Sequence, residues 1–274
     1  MIKLIGLDLD GTLLTRDKRI THRNRIVLEE AAQAGICIVP VTGRPLSGLP
    51  EPVADLSFIR YSVTSNGAIV TDMEMDRTIR KRCMTAETAE KVLRASEEDS
   101  IIREFFTKGR GFHDAKTRMH LWRKFEGTPI LHYLERSRDQ VDDFYGSLRE
   151  TEGGIENLSV MCRSRVDRDK IVAKLRKIDG IHIILQMPTD IEITSADADK
   201  GEALIALAAE LGIRRDEVMA IGDGDNDLGL MKAAGFSVAM GNASKEVKDA
   251  ADQVTLDNEH DGVAEAIQQY VLKA

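Results

Sequence analysis

Short apolar runs alternate with amphipathic stretches at both ends of the chain. Met1 to Leu9 carries Ile2, Leu4, Ile5, Leu7 and Leu9 and reads as a buried strand that Gly11 breaks. Thr21 to Ala34 reads as a helix, with Thr21 as its N-cap and Gly35 as its stop. Ile36 to Val41 is a second apolar strand, Leu46 to Leu56 a weaker helix, and Tyr61 to Thr64 a third short strand. Continuous apolar strands separated by helices predict a parallel sheet covered on both faces, with right-handed crossovers. The C-terminal part repeats the pattern. Lys200 to Leu211 places Ala203, Leu204, Leu207, Ala208 and Leu211 on one helix face, and Gly212 closes it. Val218 to Ile221 and Phe236 to Met240 read as strands, Leu228 to Ala234 and Gly262 to Leu272 as helices.

The middle of the chain differs. Between about Met84 and Pro188 the aromatic residues, histidines and arginines concentrate, among them Phe105, Phe106, His113, His120, Trp122, Phe125, His132 and Tyr133. A helix over Ala86 to Glu98, strands over Ile101 to Phe106, Asn157 to Cys162 and Ile181 to Gln186, and a helix over Asp167 to Ile178 give it α+β character. The expected organisation is a doubly wound α/β core, residues 1–82 and 190–274, with an inserted α+β domain over 83–189.

Composition narrows the function. The chain has 274 residues, enough for a core domain plus a smaller one, and a net charge of −8, which argues against a basic nucleic-acid-binding face. A local cation can still make one pocket attractive to an anion. Three widely spaced cysteines, Cys37, Cys83 and Cys162, suggest neither a disulfide framework nor a zinc cluster, and fit a reducing cytoplasm. Asp8 and Asp10 interrupt the apolar start where a signal peptide needs its longest apolar run, and no stretch approaches the roughly 20 apolar residues of a membrane helix.

Four segments carry candidate chemistry, each at an element boundary. Asp8-Leu9-Asp10-Gly11-Thr12 ends the first strand, where open α/β sheets place their ligands. Its two carboxylates, at i and i+2, point the same way and need a cation, a proton or a lysine between them. Alone the motif also fits a solvated acidic turn. Val41-Thr42-Gly43-Arg44-Pro45 follows the second strand; Thr42 offers a hydroxyl and Gly43 an accessible N–H to an oxyanion, or Thr42 simply caps a helix. Lys200 opens a helix, where its charge opposes the helix dipole unless it faces an anion. Gly222-Asp223-Gly224-Asp225-Asn226-Asp227 follows the strand over Val218 to Ile221 and suits a hard cation. It is not an EF-hand loop, because counting from Asp223 the required Gly and Glu are Leu228 and Ala234.

Together these segments resemble the haloacid dehalogenase superfamily, and within it the Cof-type sugar-phosphate phosphatases. The resemblance rests on LDLDGTLL (Leu7 to Leu14), VTGRP (Val41 to Pro45), SNGA (Ser65 to Ala68), DKGEAL (Asp199 to Leu204), IGDGDNDLGLM (Ile221 to Met231) and the tail VAMGNASKEVKDAADQVT (Val238 to Thr255). The middle matches in size and position only, as a cap that closes over the site and selects the substrate. The lead-in SADADKG is more acidic than is usual in the family.

The resemblance implies a magnesium-dependent phosphatase acting on small phosphorylated metabolites, sugar phosphates first. It implies Asp8 as nucleophile, Asp10 as general acid and then base, and Lys200 as the neutralising cation. Mg²⁺ would be held by the Asp8 carboxylate, the Asp10 backbone carbonyl and Asp223, with Asp227 on its waters or orienting the loop. Thr42, Gly43, the Leu9 backbone and Asn226 would bind the phosphoryl group, with Asn66 and Asn242 as further candidates at the rim. Arg44, His113, Arg118, His120 and Trp122 are conceivable readers of the leaving group, though each fits a core or surface role as well. An acid at i+2 favours phosphate esters over halides, since an alkoxide leaving group needs a proton. Phosphomutase, a non-catalytic phosphate-ester sensor and a phospho-accepting receiver are the alternatives; a receiver has neither the inserted domain nor the second aspartate. A zinc site at His113 and His120 lacks helical spacing, the acceptor sequence Asn242-Ala243-Ser244 is not used in a cytoplasm, and Gly109-Arg110-Gly111 opens no dinucleotide loop. No membrane or nucleic-acid partner is expected, and oligomeric state is not encoded in any feature of the sequence.

Overall fold

The structure is a computed structural model that describes residues 1–98, 101–185 and 187–273. The chain forms two compact units. One comprises Met1–Gly43, Leu49–Lys81 and Asp199–Ala274; the other comprises Arg44–Gly48 and Arg82–Ala198.

The first unit is built on a parallel five-stranded sheet. Its order is Gln253–Val254, Phe236–Ala239, Val218–Gly222, Leu4–Leu7, Cys37–Pro40. Leu4 lies opposite Val218 on one side and Cys37 on the other, so the N-terminal strand sits between strands from the two ends of the chain. Strand order reverses there, which places a ligand crevice at the carboxyl end of Leu4–Leu7. Residues of both strand faces are buried. Leu4, Val39, Val218 and Ala220 pack with Leu204 and Leu207, while the alternate residues Ile5, Leu7, Ile38, Met219 and Ile221 are buried on the opposite face. This explains why these strands read as unbroken apolar runs.

The helices follow their caps. Thr21 accepts the Asn24 N–H and starts His22–Gln33, and Gly35, at φ +85°, follows its end. Asp199 accepts the Glu202 N–H and starts Lys200–Glu210. The expected helix over Leu46 to Leu56 is instead two short pieces, Leu46–Gly48 and Glu51–Ala54, because Pro50 has no N–H to continue the first. Tyr61–Thr64 touches the parallel sheet through a Val41–Val63 bridge, then pairs antiparallel with Ile69–Asp72, which pairs with Arg77–Lys81. The latter strand is charged and largely exposed, so no apolar pattern announces it.

The second unit holds a six-stranded sheet in the order Ile181–Ile184, Asp190–Ser195, Asn157–Met161, Ile102–Thr107, Arg110–His113, Arg138–Gln140. All pairs are antiparallel except the last. Ala86–Ala95, Phe144–Arg149 and Arg165–Leu175 share a core with Phe105, Leu158 and Ile193, while Leu121 and Leu134, from Ala115–Phe125 and Pro129–Ser137, cluster with Ile102. The division at 198 differs from the expected one at 190, because Asp190–Ser195 is an interior strand of this sheet. Gln186, the expected end of the preceding strand, lies outside the described residues. No described helix is long and apolar enough to cross a membrane.

Gly6 sets the spacing between the strand Leu4–Leu7 and Lys200–Glu210. A Cβ at Gly6 would lie 2.4 Å from Leu204 Cδ2. Leu204→Ala is expected to cost about 2–5 kcal/mol in denaturant unfolding. Gly6→Ala should also destabilise, and the double variant should be more stable than the summed single effects require, because the new methyl enters the space that Leu204 vacates.

Candidate active site

The strand Leu4–Leu7 delivers Asp8 to the crevice, and the Asp8 N–H donates to Ile221 O at 3.0 Å, locking it beside the neighbouring strand. The chain then turns tightly. Thr12 N and Leu14 N donate to Leu9 O at 3.3 and 2.9 Å, and Leu13 N to Asp8 O at 3.3 Å. Gly11, at φ +93°, makes the turn possible and leaves room for a carboxylate: a Cβ there would lie 2.3 Å from Asp223 Oδ2. The Thr12 hydroxyl donates to Asp223 Oδ1 at 2.8 Å.

The loop after Val218–Gly222 supplies the facing groups. Asp227 Oδ2 accepts the N–H groups of Asp223 and Gly224, at 3.0 and 2.9 Å, so this carboxylate organises its own loop. Its Oδ1 accepts from Lys200 Nζ at 2.7 Å, and the same Nζ donates to Asp8 Oδ1 at 2.7 Å. Lys200 is only 1% exposed, so it is not a solvated surface lysine. Its place in the first turn of a helix, unfavourable to the dipole, is offset by these two carboxylates.

Carboxylate oxygens of Asp8, Asp223 and Asp227 all lie within 4.8 Å of one another. Three carboxylates share one lysine, which leaves a surplus of two negative charges when all are ionised. Burial, then the nearby Asp227 and Asp223 carboxylates, push the Asp8 pKa well up, against the pull of Lys200. Burial raises Asp223 to about 6, with Asp227 adding to the rise and the Thr12 hydrogen bond opposing it. Burial disfavours the Lys200 ammonium, but Asp227 and Asp8 outweigh it and hold its pKa above the ordinary lysine value. Hard oxygen donors, a negative surplus and a buried Asn226 Oδ1 without a hydrogen-bond partner suit a divalent cation with its waters.

Asp10 is not one of these three carboxylates, although its charge adds to the rise at Asp223. Its side chain is partly exposed, and its Oδ1 accepts from Lys18 Nζ at 2.7 Å. Leu9 is fully buried, backbone included, and its carbonyl accepts from the Thr12 and Leu14 N–H groups. Thr42 N–H donates to Val63 O at 2.9 Å and Thr42 O accepts the Asn66 N–H at 3.0 Å, so its backbone is engaged on both sides. Gly43 sits against Asn66, whose Oδ1 accepts from Asn226 Nδ2 at 3.0 Å. Asn242 Nδ2 donates to Gly11 O at 2.9 Å and to Asp223 Oδ2 at 3.1 Å, tying the tail segment to the first turn. Thr12 and Lys18 are the polar partners that sequence reasoning misses. A hydroxyl directly after Gly11 is a usable signal for Thr12, but nothing in the pattern marks Lys18.

The expected leaving-group readers all fall in the second unit. His113 is buried beside Glu104 at 3.4 Å, and Arg138 donates to the same Glu104 oxygen at 3.3 Å. His113 is thus a core residue. Arg44 lies over the Tyr133 ring at 4.8 Å and Arg118 over Trp122 at 5.0 Å, while His120 is half-buried on Ala115–Phe125.

Comparison with known proteins agrees with this arrangement. The haloacid dehalogenase-like hydrolase family matches residues 5–267. The 5-amino-6-(5-phospho-D-ribitylamino)uracil phosphatase YcsE of Bacillus subtilis is 31% identical over 273 residues, covering 99% of this chain and 96% of its own. The B. subtilis phosphatase YwtE, of the same designation, is 29% identical over 293 residues, with 98% of each chain covered. A haloacid dehalogenase-like hydrolase structure from B. subtilis superposes with a TM-score of 0.84 at 27% identity, covering 98% of this chain and 100% of that one. The chain belongs to the haloacid dehalogenase superfamily, in its Cof-type branch, and is a phosphatase. Phosphatases of this superfamily use a divalent metal.

The raised carboxyl pKa values predict a linked effect of pH and metal. A carboxyl group whose folded pKa exceeds its unfolded one binds more protons when folded, so the metal-free protein loses this stability as pH rises through about 6. A divalent cation needs the ionised groups, so its affinity should rise over the same interval. The gain in Tm on adding the cation should be larger at about pH 7.5 than at about pH 5; an equal gain would contradict this coupling.

Proposed function

We propose that this haloacid dehalogenase-like hydrolase cleaves phosphate monoesters with Mg²⁺ and an aspartyl-phosphate formed on Asp8. The observation that carries the proposal is the buried Lys200 ammonium, 2.7 Å from both Asp8 and Asp227, inside a three-carboxylate cluster. A carboxylate held at the mouth of a strand, with its negative charge balanced and its position fixed, is equipped to attack phosphorus.

In the first half-reaction an Asp8 carboxylate oxygen bonds to phosphorus as the ester P–O bond breaks, and Asp10 gives its proton to the leaving oxygen. In the second, Asp10 takes a proton from water, whose oxygen bonds to phosphorus as Asp8 is released. Lys200 keeps its proton throughout and offsets charge on Asp8 and the phosphoryl oxygens. The Thr42 side chain, the Gly43 and Leu9 backbones and Asn226 orient the phosphoryl group, with Asn66 fixing the Thr42 and Asn226 positions. Asp8, Asp223 and the Asp10 carbonyl would hold Mg²⁺, with Asp227 arranging the loop beneath it. When bound, the ion neutralises carboxylate and phosphoryl charge so that the two anions can meet.

The second unit, Arg44–Gly48 with Arg82–Ala198, is assigned the part of a cap domain that selects the leaving group, with Arg44, Arg118, His120 and Trp122 as the remaining candidate readers. The substrate class is a small phosphorylated sugar or sugar alcohol. Two relatives that match nearly the full chain are designated as phosphatases of a phosphorylated ribitylamino compound, which makes such a phosphate ester the first to test. A cytoplasmic location accords with three free cysteines.

Release of inorganic phosphate from p-nitrophenyl phosphate, abolished by chelation and restored by Mg²⁺, tests the activity; no release would favour a sensor. An isomerised sugar phosphate in place of free phosphate would favour a mutase. Asp8→Asn should lower turnover by at least about 1,000-fold while leaving the far-ultraviolet circular dichroism unchanged. Asp10→Asn should slow esters of poor leaving groups by about 100-fold or more, and p-nitrophenyl phosphate much less. Equal losses on both would remove Asp10 from the acid role.

A further inference from the structure

We infer that Lys18 is a positioning residue for the general acid, holding one oxygen of Asp10 so that the other faces the leaving group; this rests on the phosphatase reading above. The contact is direct: Lys18 Nζ lies 2.7 Å from Asp10 Oδ1. The side chains are 51% and 37% exposed, and an ion pair that open contributes little to stability, so stability does not account for it.

The backbone beneath Lys18 points the same way. Thr15 N–H donates to Arg19 O at 3.0 Å, and Lys18 N–H to Thr15 O at 2.9 Å, closing a three-residue loop over Arg16, Asp17 and Lys18. In such loops the last residue takes a left-handed conformation, a position that favours glycine. Lys18 occupies it at φ +59°. A long charged side chain therefore stands where a glycine would be easier to accommodate, and it reaches the carboxylate of the proposed general acid.

The loop is itself anchored to the site. Asn258 Nδ2 donates to Leu14 O at 2.9 Å, and Arg16 N–H to Glu259 Oε1 at 2.8 Å. Asn258 N–H donates to Asn242 Oδ1 at 3.2 Å, and Asn242 in turn binds Gly11 O and Asp223. The Lys18 ammonium is thereby referenced to the same frame as the carboxylate cluster.

The chemical consequence follows from which oxygen is held. With Oδ1 held by Lys18, the proposed proton donation falls to Oδ2. As the ester P–O bond breaks, its electron pair goes to the leaving oxygen, which takes the Oδ2 proton. The Asp10 carboxylate left behind already has a cation beside it. Lys18 keeps all its protons and touches neither phosphorus nor the leaving group.

The experiment compares phenyl phosphate with p-nitrophenyl phosphate, which differ in how much their leaving oxygen needs a proton. Lys18→Gly and Lys18→Met should lower kcat for phenyl phosphate by about tenfold and for p-nitrophenyl phosphate by less than about threefold. Lys18→Arg should restore most of the loss. Lys18→Gly relieves the left-handed lysine, so its Tm should be no lower than that of the unmodified chain, which separates lost activity from misfolding. Arg19→Met, which removes a neighbouring charge paired with Asp17, should change neither rate. Equal losses on the two esters, no loss, or a rise in KM alone would overturn the inference. Failure of the unmodified chain to release phosphate from either ester would overturn the phosphatase reading and this inference with it, whereas normal turnover with unselective Lys18 variants would overturn only the latter.

Discussion

Bringing negatively charged side chains out of water is the dominant constraint on this protein. Asp8 and Asp227 are buried, Asp223 is partly so, and Lys200 is the cation placed between two of them. Desolvation alone would make such a cluster untenable, and one ammonium neutralises only a third of it. The remaining surplus is what makes the site receptive to a divalent cation. The same feature that burdens the metal-free fold therefore prepares it for chemistry on an anion.

Much of the surrounding structure serves to keep those groups in place. Parallel strands from both ends of the chain meet at Leu4–Leu7, which puts Asp8 and the Asp223 loop side by side although about 200 residues separate them. Asp227 spends one oxygen on its own loop's N–H groups and the other on Lys200. Gly11 yields space to Asp223, and Thr12 and Asn242 hold it from two sides. Each carboxylate oxygen of Asp223 and Asp227 thus has a neighbour that fixes it, which is the preorganisation an electrostatic site requires.

The second unit solves a different problem with the same means. A buried Glu104 is shared by His113 and Arg138. Burial disfavours its ionised form, but Arg138 and His113 outweigh that and lower its pKa. Residues rich in nitrogen that look like ligand readers in the sequence are here partly consumed by internal pairing. Of these two buried clusters, the one around Glu104 finds its counter-charge within the chain and the one around Asp8 does not, and that imbalance marks the site.

Local patterns determined a great deal. Apolar runs bounded by caps and glycines located the strands over Leu4–Leu7, Cys37–Pro40 and Val218–Gly222 and the helices His22–Gln33 and Lys200–Glu210, because burial on both faces and capping are written in adjacent residues. Polar residues at those boundaries drew attention to the four segments, and the family resemblance of their motifs nominated Asp8, Lys200, Asp223 and Asp227. Other features were decided only in three dimensions. Arg77–Lys81 is a strand because of its partner and not its composition, and Asp190–Ser195 belongs to the second unit through pairings on both sides. Thr12 on Asp223, Lys18 on Asp10 and His113 in a core pair are contacts set by side-chain direction and backbone hand at single positions. Hydrophobic periodicity carries no information about those, since it records which face is buried and not which polar atom ends up within reach of another.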